Sequence, residues 1–141
     1  MHLHKGRLID HVHLRTKDLG AAKRFYSAAI GALRDDGGIE IVEDAKHFQC
    51  DELWIDLADG PVSHVHLAFQ AADRATVDRF YRAALEAGGR DNGAPGERPY
   101  HPGYYGAFVF DPDGNNIEAV YHGPAQRSAE SVVFTFEMPG A

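Results

Sequence analysis

Two histidines and two carboxylates occupy matching places in this chain, and together they are the residue types that hold a first-row metal ion. Shifting the sequence against itself by 55 positions lays His11 on His66. A shift of 62 lays Ile55-Asp56-Leu57 on Ile117-Glu118-Ala119. Two imidazoles with one or two carboxylates suit Zn, Ni, Mn, Co or Fe(II). A histidine on the polar face of a strand is more often simply solvated, which is the reading for His13 and His64 apart from a supporting role. The repeat separates His11 and His66 from that background. Asp56, one methylene shorter than Glu118, is read as a fourth ligand or as reaching a metal only through water.

The elements that must carry these residues also repeat. In the same 55-position register Asp18 meets Asp73, Arg24-Phe25-Tyr26 meets Arg79-Phe80-Tyr81, and Ala28-Ala29 meets Ala83-Ala84. Such self-similarity marks a fused pair of one unit. Alternation over residues 8–14 and 62–69 predicts a strand opening each unit, with Val12 and Leu14, or Val65, Leu67 and Phe69, on one face. The histidines take the other face. Asp18 and Asp73 are natural N-caps, and the apolar residues after them recur at helical spacing; Gly88-Gly89 ends the second helix. Short strands follow at residues 39–42, 46–50 and 53–57 in the first unit, and at 106–110 and 116–121 in the second. The last two flank Asp111-Pro112-Asp113-Gly114, whose Pro and Gly sit where a type I turn prefers them. Residues 88–103, rich in Gly and Pro, read as a surface hairpin or a mobile flap. Residues 131–138 alternate as one further strand, suited to covering an edge or joining a dimer. The expectation is a single α+β domain of two βαβββ modules, residues 7–60 and 61–122, with the metal site in a cleft between them.

Composition narrows the functions. A formal charge of -7 disfavours nucleic acid and anionic lipid as partners. There is no long apolar run for a membrane span and no signal-peptide core at the start, so a cytoplasmic protein is expected. Cys50 is the single cysteine, which excludes an intrachain disulfide and cysteine-rich zinc frameworks. No nucleophile motif, phosphate loop or dinucleotide glycine pattern is present.

Ile9-Asp10-His11-Val12, His66-Leu67-Ala68-Phe69 and Asp111-Pro112-Asp113-Gly114-Asn115-Asn116-Ile117-Glu118 resemble the vicinal oxygen chelate superfamily of glyoxalase I, fosfomycin- and bleomycin-resistance proteins and extradiol dioxygenases. The likeness spans about residues 7–122, and His101-Pro102-Gly103-Tyr104-Tyr105 is similar to a segment of uncharacterised glyoxalase-like proteins. The resemblance implies paired modules forming a cupped mixed sheet, helices on its outer face, around one divalent metal held by His11, His66 and Glu118. Asp56 stands where glyoxalase I carries a further glutamate. It also implies a small-molecule substrate with vicinal oxygens, and often a homodimer whose chains share the site. The activity expected is that of a lyase or isomerase, or of an Fe(II) dioxygenase. Glu118 or Asp56 would move a proton, and His101, Tyr104 or Tyr105 would act as acid or hydrogen-bond donor, unless these three only pack at a hairpin. The alternative is a non-catalytic protein that sequesters a small aromatic or antibiotic ligand, with Phe48, Trp54, Phe108 and Tyr121 lining the cup.

Overall fold

A computed structural model describes residues 2–5, 8–124 and 132–135. In chain order the elements are β1 (His2–Lys5), β2 (Val12–Thr16), α1 (Leu19–Ala32), β3 (Val42–Glu43), β4 (His47–Cys50), β5 (Leu53–Leu57), β6 (His66–Gln70), α2 (Arg74–Glu86), β7 (Arg90–Glu97), β8 (Tyr105–Phe110), β9 (Asn116–Tyr121) and β10 (Val132–Thr135). They form an α+β fold of two repeated modules. The first sheet runs β2-β5-β4-β3 and the second β6-β9-β8-β7, so the same mixed pattern occurs twice. In each, the opening strand lies parallel to the last strand of its own module, and the rest is antiparallel. The tail strand β10 pairs with β1, which the sequence pattern does not announce. The remainder of residues 131–138 lies outside the described residues.

Each helix starts where its aspartate allows. Asp18 accepts a hydrogen bond from the Ala21 amide and Asp73 from the Thr76 amide, satisfying donors that a helix N-terminus leaves unpaired. Gly88, at φ +101, takes the left-handed turn after α2. The buried residues of α1 (Ala22, Phe25, Tyr26, Ala29) and of α2 (Val77, Phe80, Ala84) meet the inward sides of the sheets: Leu14, Phe48, Leu53 and Ile55 in one module, Ala107, Val109, Ile117 and Ala119 in the other. Phe48 is therefore core beneath α1 and not part of a ligand surface. Tyr121 packs partly buried against the same core.

The modules join through their helices, α1 against α2, and through the turn before β9. That turn closes with the Gly114 amide on the Asp111 carbonyl. Its buried Asp111 carboxylate accepts from the Tyr26 hydroxyl and from Asn115, and Asp113 accepts from the Thr16 hydroxyl and the Lys17 amide. Burial and the Asp111 charge push the Tyr26 hydroxyl above its ordinary pKa. Among the described residues no strand of one four-stranded sheet is hydrogen-bonded to a strand of the other.

Three local readings change. The opening strand begins at Val12, whose amide takes the Glu52 carbonyl and starts the parallel ladder. His11 thus precedes the strand, exposed, with Nδ1 2.8 Å from Asp10. The Gly/Pro-rich stretch holds an edge strand, β7, whose register shifts between Asp91 and Gly93 and again between Gly93 and Gly96. An edge position with bulges is where a strand tolerates Pro95 and its glycines. Finally, the two shifts read from the sequence do not belong to one superposition. Arg15 faces Asp56 and Ala68 faces Glu118, so His13, two residues before Arg15, holds the place of His66, two before Ala68. The 55-position match survives in the helix caps but slips by two in the strands.

Candidate active site

On β6 the alternation leaves His66, Ala68 and Gln70 exposed, while Leu67 and Phe69 turn toward the core. On the neighbouring β9, Ile117 and Ala119 are core, so Glu118 points with His66 to the helix-free face. His66 Nε2 lies 2.8 Å from Glu118 Oε1. The imidazole is half exposed, its side chain at 52%, while the carboxylate is at 3%. A buried carboxylate needs its lone pairs satisfied. Here the second oxygen, Oε2, accepts a short hydrogen bond from the Tyr104 hydroxyl. Burial first, and then the Glu118 carboxylate, push the Tyr104 hydroxyl above its ordinary pKa, so it remains a donor. Gly106 makes the approach possible: a Cβ there would come within 3.2 Å of the Tyr104 ring and 3.3 Å of Glu118 Oε2. Behind Tyr104, His101 and His122 stack 5.2 Å apart and present themselves to the Tyr104 ring edge-on. His101 Nε2 and His122 Nδ1 are 2.9 Å apart. Tyr105 lies away from this face, its hydroxyl donating to Asp78 of α2.

The first module repeats the motif with other residues. His13 Nε2 is 2.6 Å from Asp56 Oδ2, and the Trp54 indole N–H donates to Asp56 Oδ1 at 2.6 Å. Each module therefore sets a carboxylate between one imidazole and one aromatic donor: His13–Asp56–Trp54 and His66–Glu118–Tyr104. The His47 ring stacks on Trp54 at 4.2 Å and 3°, and His47 Nδ1 is 2.9 Å from Asp44 Oδ2. Both Asp56 oxygens carry a hydrogen bond, and its side chain is 32% exposed beside the 45% exposed His13 imidazole.

His66 and Glu118 are thus brought together, Tyr104 is added to them, and His101 stands behind Tyr104. His11 and Asp56 do not join them: Asp56 pairs with His13, and His11 with Asp10. Donors bound to one tetrahedral ion at about 2.05 Å stand roughly 3.3 Å apart. The 2.8 Å pair needs only a small side-chain adjustment to accept one, so these two residues fit a metal. Among the described residues, no group of three or more His, Cys, Asp or Glu is placed to hold an ion. Among the described residues each module brings together one such pair, His66 with Glu118 and His13 with Asp56.

Sequence reasoning assigned no role to Gly106, Arg98 or His122, and set His13 aside as solvated. The second His-x-His pair, His64-Val65-His66, was the available signal for His13: it matches His11-Val12-His13 once a two-residue gap is allowed before the helix. Trp54 and Phe108 do lie on the helix-free faces, Trp54 bonded to Asp56 and Phe108 paired across the strands with Glu118.

Comparison with known proteins agrees with this architecture. The family description Glyoxalase/Bleomycin resistance protein/Dioxygenase superfamily matches residues 8–119. A glyoxalase/bleomycin resistance protein from Albidiferax ferrireducens T118 is 29% identical, with a TM-score of 0.65 over 80% of this chain and 97% of the other. A lactoylglutathione lyase from Agrobacterium tumefaciens shares the fold at 24% identity and TM-score 0.58, over 81% and 92% of the two chains. TioX from Micromonospora sp. ML1 shares it at 15% identity and TM-score 0.62, over 81% and 98%. No curated protein matches the sequence. With matching modules, a matching fold and a family signature over most of its length, the chain belongs to the glyoxalase/bleomycin resistance protein/dioxygenase superfamily.

Proposed function

We infer that this protein is a metal-dependent enzyme of glyoxalase type, a lyase or isomerase acting on a small substrate with adjacent oxygens. The observation that carries this reading is the His66–Glu118 pair: a half-exposed imidazole beside a buried carboxylate on a helix-free sheet face. His66 and Glu118 hold one divalent ion, and His11 of a second copy of the chain completes the set in a homodimer. A dimer is supported by the exposed position of His11 on the other module and by the absence of a third donor beside His66 and Glu118 among the described residues. A metal bound there stabilises negative charge developing on a substrate oxygen.

The chain's own residues do the rest. Tyr104 fixes Glu118 through Oε2 and keeps Oε1 turned toward His66. Proton movement falls to His13 of the module that the second copy brings with its His11; Asp56 holds it through Nε2, which leaves Nδ1 to exchange a proton with bound substrate. Asp56 positions that imidazole, with the Trp54 indole N–H holding its other oxygen. The same donor types also suit an Fe(II) dioxygenase.

The second reading is a non-catalytic small-molecule binding protein. It is favoured by the His47–Trp54 stack, a flat aromatic surface of the sort that holds planar ligands. Metal content separates the two. Purified without chelator or metal-charged resin, the parent is expected to carry about one equivalent of Zn, Ni, Mn, Co or Fe by mass spectrometry, lost in His66→Ala and Glu118→Ala. A parent that stays metal-free after incubation with these ions leaves the binding protein as the function.

A further inference from the structure

We propose that Arg98 is the anion-holding residue of this site, and that the substrate carries a carboxylate or phosphate group beside its reacting oxygens. The inference rests on taking the His66–Glu118 face as the place where substrate binds, and it names a property of that substrate that the metal reading does not.

Arg98 is partly buried, and its guanidinium lies over the Phe108 ring, 5.4 Å from the centroid. Phe108 is cross-strand partner to Glu118, and its ring lies 6.0 Å from that of His66. The cation is thus joined to the metal-binding pair by one aromatic ring. It is held there by backbone: Nη2 donates to the Ala94 carbonyl at 2.8 Å and Nη1 to the Glu97 carbonyl at 3.2 Å. Among the described residues no carboxylate pairs with it, whereas Arg34 and Arg74 each have an acidic partner. Two of its five N–H donors are used, and three remain for a ligand.

The bulged strand β7 is shaped around this side chain. A Cβ at Gly96 would stand 3.0 Å from Arg98 Nη1. One at Gly93 would stand 3.1 Å from Phe108 and 3.3 Å from Arg98 Nη2, and Gly93 sits at φ +145, where other residues are strained. Two glycines and two bulges let ring and guanidinium lie against the strand's backbone. In a chain of net charge -7, an unpaired cation fixed in this way is a place for an anion. A planar guanidinium fork matches a carboxylate or phosphate oxygen pair.

The test uses the full-length, metal-free protein titrated with oxalate and with inorganic phosphate. The readouts are calorimetry and the NMR resonances of the His66 imidazole. The parent is expected to bind at least one anion saturably and to shift His66; Arg98→Met is expected to weaken that binding about tenfold or more. Arg98→Lys serves as the second variant in case the methionine protein does not fold. It keeps the charge but lacks the planar fork, so oxalate affinity falls several-fold and phosphate affinity falls less. Tighter binding of oxalate in the parent identifies a carboxylate substrate, and tighter binding of phosphate a phosphorylated one. Absence of saturable binding in the parent, or parental affinity in the folded variants, overturns the assignment. Metal content of the parent as purified, before the ion is stripped for the titration, tests the other reading separately. A protein that takes no metal yet loses anion affinity on changing Arg98 keeps this inference and discards the metal enzyme.

Discussion

At the scale of the residue, the site depends on how one buried carboxylate is satisfied. Glu118 has its two oxygens divided between His66 and Tyr104, so Tyr104 decides where Oε1, the oxygen proposed to face a metal, points. Tyr104→Phe should lower Zn or Ni affinity by about 10- to 100-fold, the usual cost of losing a partner that orients a ligand. Competition with a chromophoric chelator measures it, and a melting temperature close to the parent's separates the effect from unfolding. Cys50 carries a different prediction. It is 1% exposed, and burial first, with Asp51 adding to it, pushes its thiol up to about 12 from an ordinary 9. In the folded state it should stay unreactive toward a disulfide reagent at pH 8 and react fully in urea. Because the folded pKa is the higher one, the thiol's contribution to stability is complete below about pH 9 and is lost as pH rises toward 12. Urea midpoints across that window would show it.

At the scale of the element, the second module is held by a close contact after its helix. A Cβ on Gly89 would meet Val109 at 2.5 Å, the Ala84 carbonyl at 2.8 Å and Phe25 at 2.8 Å, all of them core atoms. Gly89→Ala should therefore destabilise by about 1–3 kcal/mol, the range for overpacking a filled core. Chemical denaturation reads this directly, and parental stability would mean that β7 can move off α2 without cost. The elements themselves were largely legible. Asp18 and Asp73 cap the helices, residues 53–57 and 116–121 form strands as their alternation requires, and the Asp-Pro-Asp-Gly turn connects β8 to β9. The edge strand β7 was not, because its glycines and Pro95 read as loop. Only the partner strand β8 and the bulges make that backbone a strand.

At the scale of the whole molecule, each module carries one imidazole–carboxylate pair, and the proposed site is completed between copies. A site completed between copies makes a prediction that a single-chain site does not. His11→Ala and His66→Ala proteins, each metal-poor alone, should recover about a quarter of the parental metal content after being unfolded together in equal amounts and refolded as a mixture, since about half of the dimers are then mixed. Mixed dimers then contain one intact set of ligands and one doubly deficient set. No recovery would place all three ligands in one chain or remove His11 from the set. The joint between modules also acts at this scale. Tyr26, Thr16 and Lys17 of the first module reach Asp111 and Asp113 of the second, so the turn that precedes Glu118 is fixed by the other half of the chain.

The sequence by itself determined the helix starts and the faces of the strands, which follow from short-range periodicities of two and 3.6 residues and from local capping and turn chemistry. The two modules follow from the internal repeat, and His66 with Glu118 as candidate ligands from that repeat and the family resemblance. Tertiary structure decided the register. A slip of two residues leaves every side chain on its own face, so hydropathy cannot detect it, yet it moves a residue by roughly 6–7 Å along a strand. That slip separates Asp56 from His11 and joins it to His13. Parallel strands β2 and β5, distant in sequence, are aligned by the lengths and packing of everything between them. The Tyr104–Glu118 bond and the placement of Arg98 over Phe108 depend in the same way on where the backbone leaves room, at Gly106, Gly93 and Gly96.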